Sequence, residues 1–392
     1  MSSARWATRA LMTVSTFLRV PWGCSLTVNA RCRPPGSPWA SYSSTNGHNS
    51  VASGTDELAM LSEQAGVGVA CKSTVEEVDV SESVVLNREA WMARAEAHRR
   101  RVNALTGGSV HHDRSDPIFN FLFEYYHFKP RTLLQWTPGF DVYLLDADPS
   151  QKGCPLPQKA WESGPGAGGR YNPCWLDNKS RRVQVRWMRD LLQATSARAP
   201  VFHCFGLHEW AMLYRPPSTA SAEGGVDSRS IHQALPLRVS QGEINAMVEG
   251  KGGALACTHF DAFRFFTPEA KPLNPLQLER ADQASNDQPA CVHANMDLFK
   301  WALKLWPLLP SETLADALEL AVSCRILDMR ASPYDLTAYG KGRETIVVGK
   351  GGGKIGGLPP EAWDPFPVRI ETEEGRKEYQ KRRRSCSRSP CP

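Results

Sequence analysis

The sequence predicts a mainly α fold of the α+β class: a single helical globular domain with a few short strands. Three observations predict it. Apolar residues recur at helical spacing in stretch after stretch, and helical stretches outweigh extended ones by about two to one. No βαβ alternation, long-period repeat or heptad seam is present. The 392 residues, 41% hydrophobic and 22% charged, supply enough apolar surface for one substantial core.

Residues 1–55 contain Arg5, Arg9, Arg19, Arg31 and Arg33 and no Asp or Glu. An Arg-rich, Ser-rich, acid-free start that can wind into a helix is the pattern of a transit peptide, addressed to a mitochondrion or a plastid. Residues 56–85 read as a disordered linker, because Glu76 to Glu82 is an acidic solvating stretch. Folding is expected to begin near Leu86 and to continue through residues 86–384. Asn87 is the N-cap of a helix from Arg88 to Leu105, stopped by Thr106, Gly107 and Gly108. A second helix runs Asp116 to His127, with Pro117 in its first turn and Pro130 beyond its end. Phe140 to Leu145 reads as a strand. Residues 148–173 are a Pro/Gly-rich loop insertion, and 216–229 and 341–365 are two more.

Ser180 to Thr195 is a helix with Val183, Trp187, Leu191 and Leu192 on one face. Gly253 to Phe260 is apolar enough for a buried strand. Val292 to Trp306 is a helix. Ser311 caps a further helix through Met329, with Leu314, Leu318, Ala321 and Val322 inward, stopped by Ser332 and Pro333. Arg343 to Val348 and Val368 to Glu371 pair as strands. Thr372 to Arg384 is a basic helix, and 385–392 a basic tail.

The net charge of +5 is unevenly placed. The N-terminal 55 residues contribute +5 and the chain from Arg376 onward +6, which leaves about −6 for the body between them. Neutralising a duplex needs clustered Lys and Arg, so the bulk count gives no support for a DNA-binding face, although a local basic groove stays open. No run approaches the roughly 18–20 apolar residues of a membrane span. The eleven cysteines contain no C-x-x-C pair, which favours reduced thiols over a zinc ribbon or a disulfide framework.

Four segments mix reactive polar residues with aromatics. In Cys204 to Met212, His208 and Glu209 are adjacent, so on a helix they point about 100° apart and cannot share one ion; Trp210 follows them. The plain alternative is a half-buried helix with a hydrogen-bonded histidine. In Thr258 to Glu269, an extended chain puts His259, Asp261 and Phe263 on one face, a plausible acid–base pair with an aromatic wall. Arg264 there can meet an anion or stack on a ring; the alternative is core aromatics and one structural ion pair. In His293 to Trp301, His293 and Asp297 are four residues apart on one helical face, with Asn295 between them and Lys300 continuing the stripe. That face lines a polar cavity or is simply wet. In Leu327 to Leu336, Arg330, Tyr334 and Asp335 either line a site or pin a helix corner. Glu124-x-x-His127 has di-iron spacing but no second copy, and the Gly349 to Lys354 run lacks the Ser or Thr of a phosphate loop.

The segments DPIFNFLFEYY, CFGLHEWAM, THFDAFRFFTPEA, HANMDLFKWA, LDMRASPYDL and VRIETEEGRKEY together resemble a mainly bacterial family labelled 3-methyladenine DNA glycosylase. The resemblance covers roughly Leu86 to Tyr339 and Val368 to Arg384. It implies damaged-base excision from DNA in an organelle, with Asp261 or Asp297 as the hydrolytic carboxylate and Trp210, Phe263 and Tyr334 among the aromatics around the extruded base. The residues themselves leave two other functions open. One is an enzyme acting on a small molecule through His208, His259, His293 and nearby carboxylates, with or without a metal. The other is a non-enzymatic binding or assembly factor whose polar motif residues are core pairs.

Overall fold

The computed structural model describes residues 84–106, 119–128, 130–140, 142–164, 166–176, 179–217, 235–251, 255–337 and 366–386. The stretches expected to be a transit peptide and, up to residue 83, a linker, the expected insertions at 218–229 and 341–365, the strand expected at 343–348 and the tail from 387 lie outside the described residues. Among the described residues helix far outweighs strand, as expected for a mainly α fold. No described helix is long and apolar enough to cross a membrane.

Strand β1 (Val84–Leu86) is the first described element, two residues before the start that the sequence suggests, and runs parallel to β2 (Val142–Leu145). Helix α1 (Arg88–Leu105) follows at once. The Asn87 side chain accepts a hydrogen bond from the Ala90 amide, satisfying one of the helix's free N–H groups. Helix α2 (Phe119–Tyr125) is shorter than expected at its C-terminal end, because His127 takes a positive φ of 49° and leaves the helix. That backbone also removes Glu124 and His127 from any di-iron geometry.

Strands β3 (Trp161–Ser163) and β4 (Gly168–Tyr171) lie inside the stretch that composition marks as a loop, and complete a sheet ordered β1-β2-β4-β3. Gly169 is needed there, because a Cβ would collide with the Glu162 carbonyl and the Trp161 ring. Leu86, Trp91, Trp136, Leu144 and Leu156 seal α1 against this sheet.

Helix α3 (Lys179–Ala197) buries Val185, Met188, Leu191 and Leu192, whereas Val183 and Trp187 are exposed. The buried stripe is therefore rotated from the expected one; the half-exposed Trp187 meets the buried Trp301 ring edge to face instead. Short helices α4 (Leu207–Ala211) and α5 (Gln241–Ala246) come next, α5 starting at a Ser240–Glu243 capping box. Residues 255–259 form no strand; the backbone runs irregularly into helix α6 (Phe260–Phe263), and α7 (Gln283–Asn286) follows.

Helices α8 (Val292–Leu305) and α9 (Ser311–Ala331) pack together as the centre of the molecule. Leu314, Leu318, Ala321 and Val322 are all fully buried, as the periodicity predicts. Ser311 is the first residue of α9 and not its cap; its Oγ accepts from the Thr137 amide. Val368–Glu371 is a turn region leading into the last helix, α10 (Glu373–Cys386). Arg383 of α10 is fully buried and donates to the carbonyls of Ala290 and Pro289, just before α8. The seven described cysteines are free thiols.

Candidate functional site

The centre is assembled from five elements. The chain reaches α4 through Phe205 and Gly206, both with positive φ (45° and 75°), which turn the backbone sharply and present His208 and Glu209 inward. His259 is the residue before α6, and Asp261 lies in its first turn. Asp287 ends α7. His293, Asp297 and Lys300 share the face of α8 that its spacing predicts. Arg325 and Asp328 sit in the middle of α9, fully buried.

These side chains meet. His208 Nε2 lies 2.8 Å from Asp328 Oδ1. Both atoms are buried, and neither has another hydrogen-bond partner. Asp328 Oδ2 accepts from Arg325 Nη1 at 2.9 Å, and the same nitrogen donates to Glu209 Oε1 at 2.9 Å. The two adjacent residues His208 and Glu209 thus reach different members of one Arg325–Asp328 pair. The His293 ring meets the His208 ring edge-on at 4.5 Å and stacks on the His259 ring at 5.5 Å, so three imidazoles stand in a row. His208, His293 and Asp328 each offer one ligating atom, all within 4.8 Å of one another.

At the other end of the row, His259 Nδ1 lies 2.8 Å from Asp287 Oδ1. With the proton on Nδ1, the unshared pair is on Nε2, 3.9 Å from Asp297 Oδ2. His259, Asp261 and Asp297 form a second cluster of possible ligands. Here a cation is already built in: Lys300 Nζ stands 2.5 Å from Asp297 Oδ2 and 3.6 Å from Asp261 Oδ2. Tyr126 donates to the other Asp297 oxygen at 3.2 Å. The ammonium supplies the positive charge shared by the two carboxylates of this cluster.

The electrostatics differ along the row. Burial alone would raise the Asp328 carboxyl, but His208 and Arg325 beside it hold it well below the usual carboxylate range. Burial works against a charged His208, yet Asp328 outweighs it and raises the imidazole pKa. His259 follows the same balance, with Asp287 opposing burial. Burial, joined by the neighbouring His208, pushes His293 far down, so that ring is neutral and its lone pair is available. Exposure rises toward Asp261, whose side chain is 14% exposed and is ringed by Arg264 at 3.4 Å, Lys300, and Arg280 at 3.9 Å, the last 75% exposed. That is the open end of the site.

No family model, curated protein or solved structure matches the chain.

The sequence candidates divide cleanly. His208, Glu209, His259, Asp261, His293, Asp297 and Arg264 belong to the connected network or its rim. His259 pairs directly with Asp287, while Asp261 keeps a carboxylate oxygen within 4.8 Å of the His259 ring and makes its ion pairs with the rim cations. Trp210 donates its ring N–H to the Ala331 carbonyl, and Phe263 packs on Phe266 in the core. Asn295 donates to the carbonyls of Pro289 and Cys291, steadying the start of α8. Arg330 donates to the Phe366 carbonyl, Tyr334 bridges Leu237, and Asp335 accepts from the Thr337 amide. These last five bonds hold backbone corners. Arg325, Asp328, Asp287 and Lys300 are the participants that motif reading passed over as site residues.

Proposed function

We propose that the chain is a metal-dependent enzyme that hydrolyses a small anionic molecule, with the ion held by His208, His293 and Asp328. One observation carries this reading: His208 Nε2 and Asp328 Oδ1, from helices far apart in sequence, face each other at 2.8 Å, with a ligating nitrogen of the neutral His293 within 4.8 Å of both. Two atoms bound to one ion at about 2.0–2.1 Å lie about 2.9–3.4 Å apart, close to this spacing. A bound divalent ion supplies an activated water and a Lewis acid. Glu209 is the base beside it, since Arg325 holds Oε1 while Oε2 is buried and unpartnered. The His259–Asp287 pair supports a second proton-transfer group.

Elemental analysis of the purified full-length chain tests this directly. The expected result is about one zinc per chain, lost in His293→Ala and Asp328→Asn and kept in His259→Ala. A chain that stays metal-free after loading with zinc, manganese and iron sinks the reading. Two histidines and one carboxylate are also the ligand set of non-haem iron oxygenases, so iron in place of zinc moves the reaction from hydrolysis to oxygen activation.

A second reading, excision of a damaged base from DNA, is favoured by the rim: Arg264, Arg280 and Lys300 gather three cations around Asp261, a carboxylate at the opening. Phosphates would meet the cations and the sugar would meet Asp261.

A further inference from the structure

We infer that Arg325 anchors an oxyanion of the substrate, a carboxylate or phosphate group gripped in two-point fashion beside the ion. The inference rests on the metal reading for its neighbour, but the anchor itself is read from Arg325 alone. The guanidinium is fully buried. Nη1 is spent on Glu209 and Asp328. Nε and Nη2 are buried and have no hydrogen-bond partner. Those two nitrogens share one edge of the guanidinium, the edge that matches two oxygens of a carboxylate or phosphate in parallel hydrogen bonds. The Phe121 ring lies 3.9 Å from Cζ, which covers one face and holds the plane.

Charge points the same way. With a divalent ion bound, the ion and Arg325 bring three positive charges against the two negative charges of Asp328 and Glu209. One surplus positive charge in a water-poor interior is unfavourable, and a monoanion cancels it. The cationic rim at Arg264, Arg280 and Lys300 favours the approach of that same class of molecule. A neutral substrate would leave two charged N–H groups buried and unsatisfied.

The test titrates the metal-loaded full-length chain with inorganic phosphate and, separately, acetate, read by calorimetry and thermal shift. At least one of the two is expected to bind saturably. Arg325→Lys keeps the charge and loses the fork, so it should retain the metal and weaken that anion by at least about tenfold. Unchanged anion affinity in Arg325→Lys overturns the inference, as does a wild-type chain that binds neither anion. Should the variant fail to fold, the wild-type chain labelled with 15N-arginine decides. Of the three guanidinium groups buried among the described residues, the Arg325 Nε–H resonance should shift with the anion, while those of Arg330 and Arg383, already bonded to the Phe366 and Ala290 carbonyls, stay still. No shift at Arg325 overturns the inference. Anion binding at Arg325 in a chain that takes up no metal removes the metal reading and leaves the anion site; metal uptake without the anion response does the reverse.

Discussion

At the scale of single residues, the buried histidines are tuned in opposite directions, and pH separates them. His98 on α1 is packed against the Leu133 carbonyl at 2.7 Å. Burial lowers its pKa, against the raising effects of that carbonyl and of Glu312, with Arg101 also lowering it. A histidine kept neutral in the fold loses stability as pH falls below the unfolded value of about 6.5, because only the unfolded chain then takes the proton. The stability lost on His98→Gln should therefore be largest at pH 7.5 and should shrink toward pH 5.5, read by denaturant titration of both proteins. A loss that grows on acidification would contradict the assignment. The missed site residues carried a signal at this scale too. Arg325 and Asp328 continue the buried α9 stripe of Leu314, Leu318 and Ala321 at helical spacing. Two charges on an otherwise apolar stripe cannot be a solvated face, so they must pair inside. Asp287 carried no such mark; it lies at the end of a four-residue helix whose period is too short to read.

At the scale of elements, the helices with local punctuation were legible. Helix α1 was readable to the residue because Asn87 caps it, and α8 because His293 and Asp297 keep one face through a long apolar helix. Strands β3 and β4 were not, since strands of three and four residues, the second opening on two glycines, have no alternation to detect and are held by neighbours in the sheet. The rotated face of α3 is a case of size misleading: Trp187 is large and apolar, but it stays 38% exposed and touches the buried Trp301 only edge to face. The start of α8, which carries His293, depends on a distant element. Arg383 of α10 donates to the carbonyls of Ala290 and Pro289, next to Cys291. Arg383→Met leaves buried acceptors unmet and should destabilise the fold by about 2–3 kcal/mol. It should also reduce metal retention, because the first turn of α8 loosens. Denaturation midpoints and metal content of the same preparation check both. Unchanged values would show that α10 is a passive cover.

At the scale of the whole molecule, charge is sorted rather than balanced: an acidic body, basic ends, and a small cationic rim at the open end of the site. A rim of three cations bounds what nucleic acid binding can look like. If it met DNA phosphates, the logarithm of affinity should fall with the logarithm of salt with a slope no steeper than about −3. The hydrolytic reading expects no free base from alkylated DNA incubated with the full-length chain. Release that disappears in Asp261→Asn would establish base excision instead, and release that survives it would take Asp261 out of the chemistry. The position of Arg383 in the polypeptide also has a temporal consequence. His208, His293 and Asp328 all leave the ribosome before α10 does. If His208, His293 and Asp328 hold an ion, they are synthesised first and the arginine that steadies the start of α8 last, so a nascent chain still lacking α10 should retain metal less well than the finished one.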